Sequence, residues 1–299
     1  MAVNGPKTGF TVRDPNTGNP QDLGYRYVSK DYLLDVYPNL VPGRTVPGLW
    51  TCGYNSQGQL GNNTTVNYSS PVQVGSLTNW KQVSSNAYHA TAIKTDGTLW
   101  AWGSDFFGQL GNSISGINYS SPVQVGLLTN WKQVSTGEQH TSAIKTDGTL
   151  WTWGWDAYGQ LGNNTTVNYA SPIQIGLLNN WKQVSAGGNS TAAIKTDGTL
   201  WTWGYDAYGQ LGNNTTVNYS SPVQVGLLNN WKQVSCGNFH IAAINTDGTL
   251  WTWGYNLNGG LGNNTTVSYS SPIQVGSLTT WKQIAGVYYY IAAIADGYI

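Results

Sequence analysis

Three histidines are the first residues whose type and spacing could support chemistry. His89, His140 and His240 occupy one position of an internal repeat, and Ser190 and Tyr290 fill that position in the other two copies. Imidazole nitrogens that converge on one point can bind zinc. Spacing alone is weak support for such a site, and we predict that the protein holds neither a metal nor another cofactor.

The chain offers few residues that could serve in acid–base or nucleophilic catalysis. Glu138 is the only glutamate, no serine lies in a nucleophile-elbow motif, and no pair of a histidine and an acid stands out from the repeat. The sequence therefore predicts a binding or structural protein and not an enzyme.

Aromatic side chains are the better candidates for a functional surface. Two loops differ most between the copies of the repeat, and both are rich in Tyr, Phe, Asn and Gly, a composition suited to adaptable contacts. Neutral variation of the loops explains these differences equally well. The candidate binding residues are Tyr54, Tyr88, His89, Phe106, Phe107, His140, Trp155, Tyr158, Tyr205, Tyr208, Phe239, His240, Tyr255, Tyr289 and Tyr290.

The elements that must position these loops follow from the repeat itself. The phrase Leu-Trp-x-x-Gly recurs along the chain, beginning at Leu49, Leu99, Leu150, Leu200 and Leu250. A period near fifty residues is typical of propeller blades or solenoid units. Each unit contains short β-rich segments separated by turn residues, and Asp-Gly pairs supply a tight hairpin between the last two of them. We predict an all-β fold with four strands in each unit.

The two ends of the repeated region predict how it closes. The last copy stops at Ala295-Asp-Gly-Tyr-Ile299, where every earlier copy continues into Leu-Trp-x-x-Gly, and Leu49–Gly53 supplies that segment ahead of the first full copy. If this strand completed the last blade, two unpaired sheet edges would disappear. We therefore predict that residues 49–299 form a ring of five four-stranded blades closed by residues 49–53. An open arc of the same blades is the alternative.

Each copy also carries a family signature. The phrase Gly53-Tyr-Asn-Ser-Gln-Gly-Gln-Leu-Gly61 and its counterparts resemble the G-x-N-x-x-G-Q-L-G signature of the regulator of chromosome condensation (RCC1) repeat. The segment from His89 to Gly103 is similar to a second pattern of that family. Asp replaces the Asn of the signature in the middle copies. The resemblance implies an RCC1-like β-propeller in which the repeated His is an ordinary part of the fold, and known members usually have seven blades.

Residues 1–48 belong to no copy of the repeat and contain 9 of the 26 charged residues. We predict a short, irregular and mostly extended anchor arm, with one short helix at 29–38 that ends at its proline. An arm of this kind cannot bury its own apolar residues, so it must pack under the propeller or, as we favour, dock into another subunit. Its apolar contact set is Tyr32, Leu33, Val36 and Tyr37.

Composition narrows the range of partners. Only 9% of the residues are charged, and 13 Lys and Arg balance 13 Asp and Glu. Without a basic run the chain lacks the electrostatic attraction on which most nucleic-acid binding depends, so we expect no nucleic-acid partner. No secretory signal or transmembrane segment is recognisable, so we expect no membrane insertion.

The leading functional hypothesis is a component of a bacteriophage virion: a tail, baseplate, fibre or capsid-decoration protein. Its arm would anchor it to other subunits, and its propeller would contact a protein or glycan of the host surface. A free RCC1-type protein-binding module in the cytoplasm, acting as a regulator or inhibitor, is the first alternative. A lectin-like glycan-binding propeller is the second.

Overall fold

The computed structural model of the chain describes residues 48–76 and 78–297. Every regular element in these ranges is a β-strand, and none of the described residues forms a helix long and apolar enough to cross a membrane. The predicted arm lies outside the described residues except for Gly48, and so does its contact set of Tyr32, Leu33, Val36 and Tyr37. The arm and its boundary with the propeller therefore stay predictions.

Antiparallel sheets of four strands make up most of the described chain, with a sheet of two strands at each end. The first short sheet contains β1 (Trp50–Gly53) and β2 (Tyr68–Gln73). The four-stranded sheets contain β3 (Trp80–Ser85), β4 (His89–Lys94), β5 (Leu99–Gly103) and β6 (Tyr119–Gln124); β7 (Trp131–Thr136), β8 (His140–Lys145), β9 (Leu150–Gly154) and β10 (Tyr169–Gln174); β11 (Trp181–Ala186), β12 (Ser190–Lys195), β13 (Leu200–Gly204) and β14 (Tyr219–Gln224); and β15 (Trp231–Cys236), β16 (His240–Asn245), β17 (Leu250–Gly254) and β18 (Tyr269–Gln274). The last short sheet contains β19 (Trp281–Gly286) and β20 (Ile291–Ala295). The predicted four strands in each blade are confirmed for β3 to β18.

The residues of each strand explain its place in the blade. The second strand, such as β12, is buried along its whole length and consists mainly of small and β-branched residues that fit between two neighbouring blades. The outermost strand, such as β14, contains Pro222. Proline has no N–H to donate to a ladder, so it is tolerated at the edge of a sheet and excludes a central position.

The Asp-Gly pairs form the hairpin tips that the sequence predicts. At the tip between β12 and β13, Asp197 Oδ1 accepts hydrogen bonds from Thr199 N at 2.9 Å and from Thr199 Oγ1 at 2.7 Å. Gly198 has a φ of +80°, and a Cβ there would lie 2.0 Å from the carbonyl oxygen of Asn229 in the next blade. The tip therefore requires glycine both for its turn and for its contact with the following repeat.

The hydrophobic core lies between adjacent blades. Trp203 is fully buried, and its Nε1 donates a 2.9 Å hydrogen bond to the carbonyl of Gln160 in the preceding blade. Trp102, Trp153 and Trp253 are buried and bonded in the same way. These tryptophans pack between blades and are not exposed stacking platforms.

Glutamine side chains add a second connection between blades. Gln133 Nε2 donates to the carbonyl of Val184 at 3.1 Å, and Gln133 Oε1 accepts from Val184 N at 3.1 Å. Gln183 makes the same pair of bonds with Val234 in the next blade. Each side-chain amide thus imitates a peptide group and links the first strands of neighbouring sheets, which keeps buried backbone groups paired.

The predicted closure of the ring differs from the structure. β1 pairs with β2 and β20 pairs with β19 in two separate sheets, and no pairing joins β20 to β1 among the described strands. Ile294 of β20 is 59% exposed, whereas the equivalent Ile194 is fully buried. The outer edges of β1 and β20 therefore stay apart in the described structure. The chain forms complete blades flanked by two half-blades, which is the open arrangement.

Candidate functional site

The repeated histidines lie inside the protein and not on a binding surface, which corrects the prediction for His89, His140 and His240. His140 Nε2 lies 2.9 Å from Thr191 Oγ1 in the next blade. Because the Thr191 hydroxyl donates to a backbone carbonyl, His140 must be the donor of this bond. Burial lowers the pKa of His140 to about 3, so the imidazole stays neutral.

His89 makes the equivalent bond to Thr141 at 2.9 Å, and burial lowers its pKa to about 3 as well. His240 is equally buried, with a pKa lowered to about 4 mainly by burial. In the part of the chain that the structure describes, no group of three His, Cys, Asp or Glu side chains is arranged to hold a metal ion. His89 and His140 thus connect neighbouring blades, whereas Nε2 of His240 has no hydrogen-bond partner among the described residues.

A continuous row of aromatic rings crosses the loops that follow β5, β9, β13 and β17 and the loops that precede β16 and β20. The ring centroids of Tyr158 and Tyr205, which lie on neighbouring blades, are 4.8 Å apart. Across the next boundary Tyr208 lies 5.0 Å from Tyr255, again within the contact range of aromatic pairs. We call this row the aromatic arc; it consists of Phe106, Phe107, Trp155, Tyr158, Tyr205, Tyr208, Phe239, Tyr255, Tyr288 and Tyr289.

The rings of the aromatic arc project from loops whose backbone is fixed from below. Between Trp155 and Tyr158, the buried Asp156 accepts a 2.8 Å hydrogen bond from Leu161 N through its Oδ1. Tyr158 N donates to Gln160 Oε1 at 2.9 Å. Because the backbone is tied down beside each ring, the aromatic surface is ordered before any partner arrives, which lowers the entropic cost of binding.

The residue that ties down each loop is Asp in the middle copies and Asn in the first and last. Asn256 Nδ2 donates to the carbonyl of Val267 at 2.9 Å. In Asp156 an acceptor oxygen takes the place of that donor, and this Oδ2 has no hydrogen-bond partner among the described residues. Burial therefore raises the pKa of Asp156 to about 7, and it raises the pKa values of Asp105 and Asp206 to about 6. The sequence shows the exchange of Asn for Asp but not this buried role.

The remaining predicted tyrosines lie apart from the aromatic arc. Tyr54, Tyr88 and Tyr290 are exposed, and within the described residues none of them has a ring contact with the arc. Tyr288, which the prediction omitted, lies 4.4 Å from Tyr289 between ring centroids. Three consecutive tyrosines close the last variable loop, and their sequence alone does not say which two join the arc.

Comparison with known proteins gives matches over most of the described chain. A model of the RCC1-like domain matches residues 45–297. The ultraviolet-B receptor UVR8 of Arabidopsis thaliana is 35% identical over 123 residues, which are 40% of this chain and 28% of the receptor. The E3 ubiquitin-protein ligase HERC2 of Homo sapiens is 34% identical over 134 residues, 41% of this chain and 3% of the ligase. The chain thus matches less than a third of the length of these relatives.

Solved structures agree with the blades described above. Human WBSCR16 superposes with a TM-score of 0.74 and 26% identity, over 85% of this chain and 68% of that one. Yeast RCC1 (Prp20), solved bound to Kap60, superposes with a TM-score of 0.68 and 18% identity, over 80% of this chain and 59% of that one. At this identity the yeast protein shows a common fold alone.

Proposed function

Because the chain belongs to the RCC1-like domain family, as its repeat signature predicts, we propose that it is a non-enzymatic protein-binding module whose partner contacts the aromatic arc. The observation that carries this proposal is the continuity of the arc across consecutive blades. Large aromatic rings supply much contact area at a low entropic cost, and they are enriched among the residues that dominate protein interfaces.

The partial exposure of the arc supports a binding role. Phe106 is 70% exposed and Tyr208 is 40% exposed, whereas the tryptophans of the core are fully buried. An ordered apolar row that remains accessible to water gains free energy when a partner covers it. Relatives with this fold bind proteins: a structure of yeast Prp20 holds Kap60, and another reports the binding of Prp20p to Gsp1p and histones.

Site-specific photo-crosslinking tests the proposal because it captures whichever protein contacts the labelled residue. A photoreactive phenylalanine analogue at Tyr208 should give one discrete protein adduct in extracts of the source organism, and mass spectrometry would identify it. The same analogue at Tyr54, a tyrosine that is 59% exposed but lies off the arc, is the matched control.

Affinity for the identified partner then decides the assignment. The double substitution Tyr205→Ala and Tyr208→Ala should weaken binding by about a hundredfold, because each lost aromatic contact is worth about 1 to 2 kcal/mol. Tyr54→Ala should change binding by less than about threefold. Equal affinities for both variants, with melting curves that show intact folds, would remove the aromatic arc as the binding surface.

Two finer predictions remain alternatives. The arc also offers rings on which sugars could stack, so a glycan array distinguishes a lectin from a protein-binding module: glycan binding that disappears with Tyr205→Ala and Tyr208→Ala favours the lectin. The virion role, with its anchor arm and host adsorption, is supported only by the low charge, the near-identical repeats and the non-repeat segment. Mass spectrometry of phage particles purified from the source organism would test this role by detecting the chain in the particles.

A further inference from the structure

The opposite end of the blades, near the Asp-Gly tips, carries a pair of tryptophans that in three repeats holds a lysine. Trp131 and Trp151 meet edge to face with centroids 6.2 Å apart. Lys145 Nζ lies 3.5 Å from the centroid of Trp151 and 5.0 Å from that of Trp131. An ammonium group in this position is attracted by the negative faces of both rings. We call this arrangement a tryptophan cage.

The same cage recurs in the blades on either side. Lys195 Nζ lies 3.7 Å from the centroid of Trp201 and 5.0 Å from that of Trp181. Lys94 stands in the same way over Trp100 and Trp80, at 3.5 Å and 5.1 Å. In three successive repeats, therefore, the chain supplies both the rings and the cation.

The fourth cage has the rings but lacks the lysine. Trp231 and Trp251 lie 6.2 Å apart with an interplanar angle of 81°, the same values as for Trp131 and Trp151. Asn245 stands where the other repeats have lysine. Its side chain is two bonds shorter, so it ends short of the position that Nζ occupies in the other cages.

Two further features of the fourth cage favour a cation. Asn245 is 2% exposed, and its Oδ1 has no hydrogen-bond partner in the described structure. A buried acceptor without a donor is unfavourable, and an N–H group that reached it would remove that cost. Asp247 also lacks the lysine that accompanies Asp197 in the third repeat, where the two charges interact.

We infer that Trp231, Trp251 and Asn245 form a binding site for an alkylammonium cation supplied from outside the chain. The two rings would contact the cation through their faces, and Asn245 Oδ1 would accept a hydrogen bond from it. At the third repeat the cage opens on a surface cavity of about 420 Å³ that is bordered by Leu178. The fourth repeat presents Leu228 at the equivalent place, so the alkyl chain of the ligand would lie against leucine.

Titration with n-butylammonium, followed through the indole N–H signals of the full chain in nuclear magnetic resonance spectra, tests this inference. The signals of Trp231 and Trp251 should shift and saturate together. Butanol, which has a similar alkyl chain but no charge, should leave them in place. Equal shifts with butanol would mean that the cage recognises the alkyl chain and not the cation, which would overturn the inference.

The repeats provide matched variants that are expected to fold, because each places a residue that a sister repeat already carries. Asn245→Lys supplies the chain's own ammonium group and should weaken butylammonium binding by at least about tenfold. Lys195→Asn should create a second site, seen as new shifts of Trp181 and Trp201. Unchanged binding by Asn245→Lys, or no second site with Lys195→Asn, would refute the inference.

The same assay distinguishes two sources of the cation, a lysine of a partner protein and a free amine. The amide of Nα-acetyl-lysine keeps the ε-ammonium group of a lysine side chain. If this probe binds at least about tenfold more tightly than butylammonium, the cation is a lysine of a partner protein, and equal affinities point to a free amine. The site lies at the other end of the blades from the aromatic arc. Tyr205→Ala and Tyr208→Ala should therefore leave butylammonium binding unchanged, so this inference stands or fails independently of the proposed function.

Discussion

The inner blades and the two half-blades have nearly the same sequence but bury it very differently. Ile244 of β16 is fully buried, whereas Ile294 at the same position of β20 is 59% exposed. Val134 of β7 is 1% exposed, and Val83 at the same position of β3, which follows the first half-blade, is 48% exposed. Burial in this fold therefore comes from the neighbouring blade more than from the strand itself. Such an array is stabilised mainly by its nearest-neighbour interfaces.

Removing one large side chain from the inner and the outer region should give the largest contrast. Trp203→Ala deletes a fully buried indole and should lower the free energy of unfolding by about 3 to 5 kcal/mol. Trp50→Ala changes a residue that is 56% exposed and should cost less than about 1 kcal/mol. Chemical denaturation measures both. Similar losses would show that the half-blades are as tightly packed as the inner blades.

A second contrast concerns the buried loop residue, which is Asp in the inner copies and Asn at both ends. Burial raises the pKa of Asp156 from 3.8 to about 7 in the folded state. The folded protein thus binds this proton more tightly than the unfolded chain does, and stability should fall as the pH rises from about 4 to 7. Asp156→Asn removes this loss and should stabilise the protein by at most about 4 kcal/mol at pH 8, at about 1.4 kcal/mol for each pKa unit.

The test is a pair of stability profiles between pH 4 and pH 8. The gain from Asp156→Asn should be smallest at low pH, where the carboxyl is protonated in both states. The reverse change at the end of the array, Asn256→Asp, should destabilise the protein as the pH rises. A gain that is the same at every pH would show that the Asp156 carboxyl does not titrate as described.

A smaller effect is expected on the exposed loop ahead of each first strand. Leu177 is 95% exposed, and the first and last copies carry Ser76 and Ser277 at this position. Leu177→Ser should change the free energy of unfolding by less than about 0.5 kcal/mol, because the side chain buries almost nothing. Leu200→Ser, at a fully buried site, is the control and should destabilise strongly. A large loss for Leu177→Ser would mean that another surface covers this loop.

The smallest effect is expected from a thiol placed to trap a closed ring. In the inner blade Thr191 faces Trp203 across the pair of strands. If β1 completed the last blade, Ile291 would face Cys52 in the same way, within the distance a disulfide can bridge. In the described structure β20 and β1 are not paired with each other. Ile291→Cys should therefore give no disulfide with Cys52 within one chain after mild oxidation. Mass spectrometry of the non-reduced chain would detect that bond, and its presence would contradict the open arrangement.

What the sequence predicts well is what a single repeat contains. The strand count and the Asp-Gly tips depend on local turns and on contacts that recur in every copy. Closure depends on the rotation between blades, which no one repeat encodes, and the prediction was wrong there. The histidines were misplaced for a related reason: the strand that begins at His140 is buried on both sides, so no alternation of polar and apolar residues reveals its surroundings.

The aromatic arc could be predicted only in part. Its residues stand out because they vary between otherwise similar copies, but their contact depends on loops whose backbone is held by Asp156 and its equivalents. The sequence shows Asp in place of Asn as a minor departure from a motif. The meaning of that departure appears only where the unpaired Oδ2 occupies the place of a donor.

The glutamine bonds between first strands also determine how the molecule would respond to a pulling force. Gln133 and Val184 join two sheets through a side chain, whereas the strands within a sheet are joined by full backbone ladders. Tension applied at the two ends would therefore separate blades before it unravels the sheets themselves. Each blade that then unravels would release one copy of the repeat, roughly 170 Å of chain at about 3.4 Å per residue. The extension of the array would therefore increase in steps of nearly equal length, one for each repeat that unfolds.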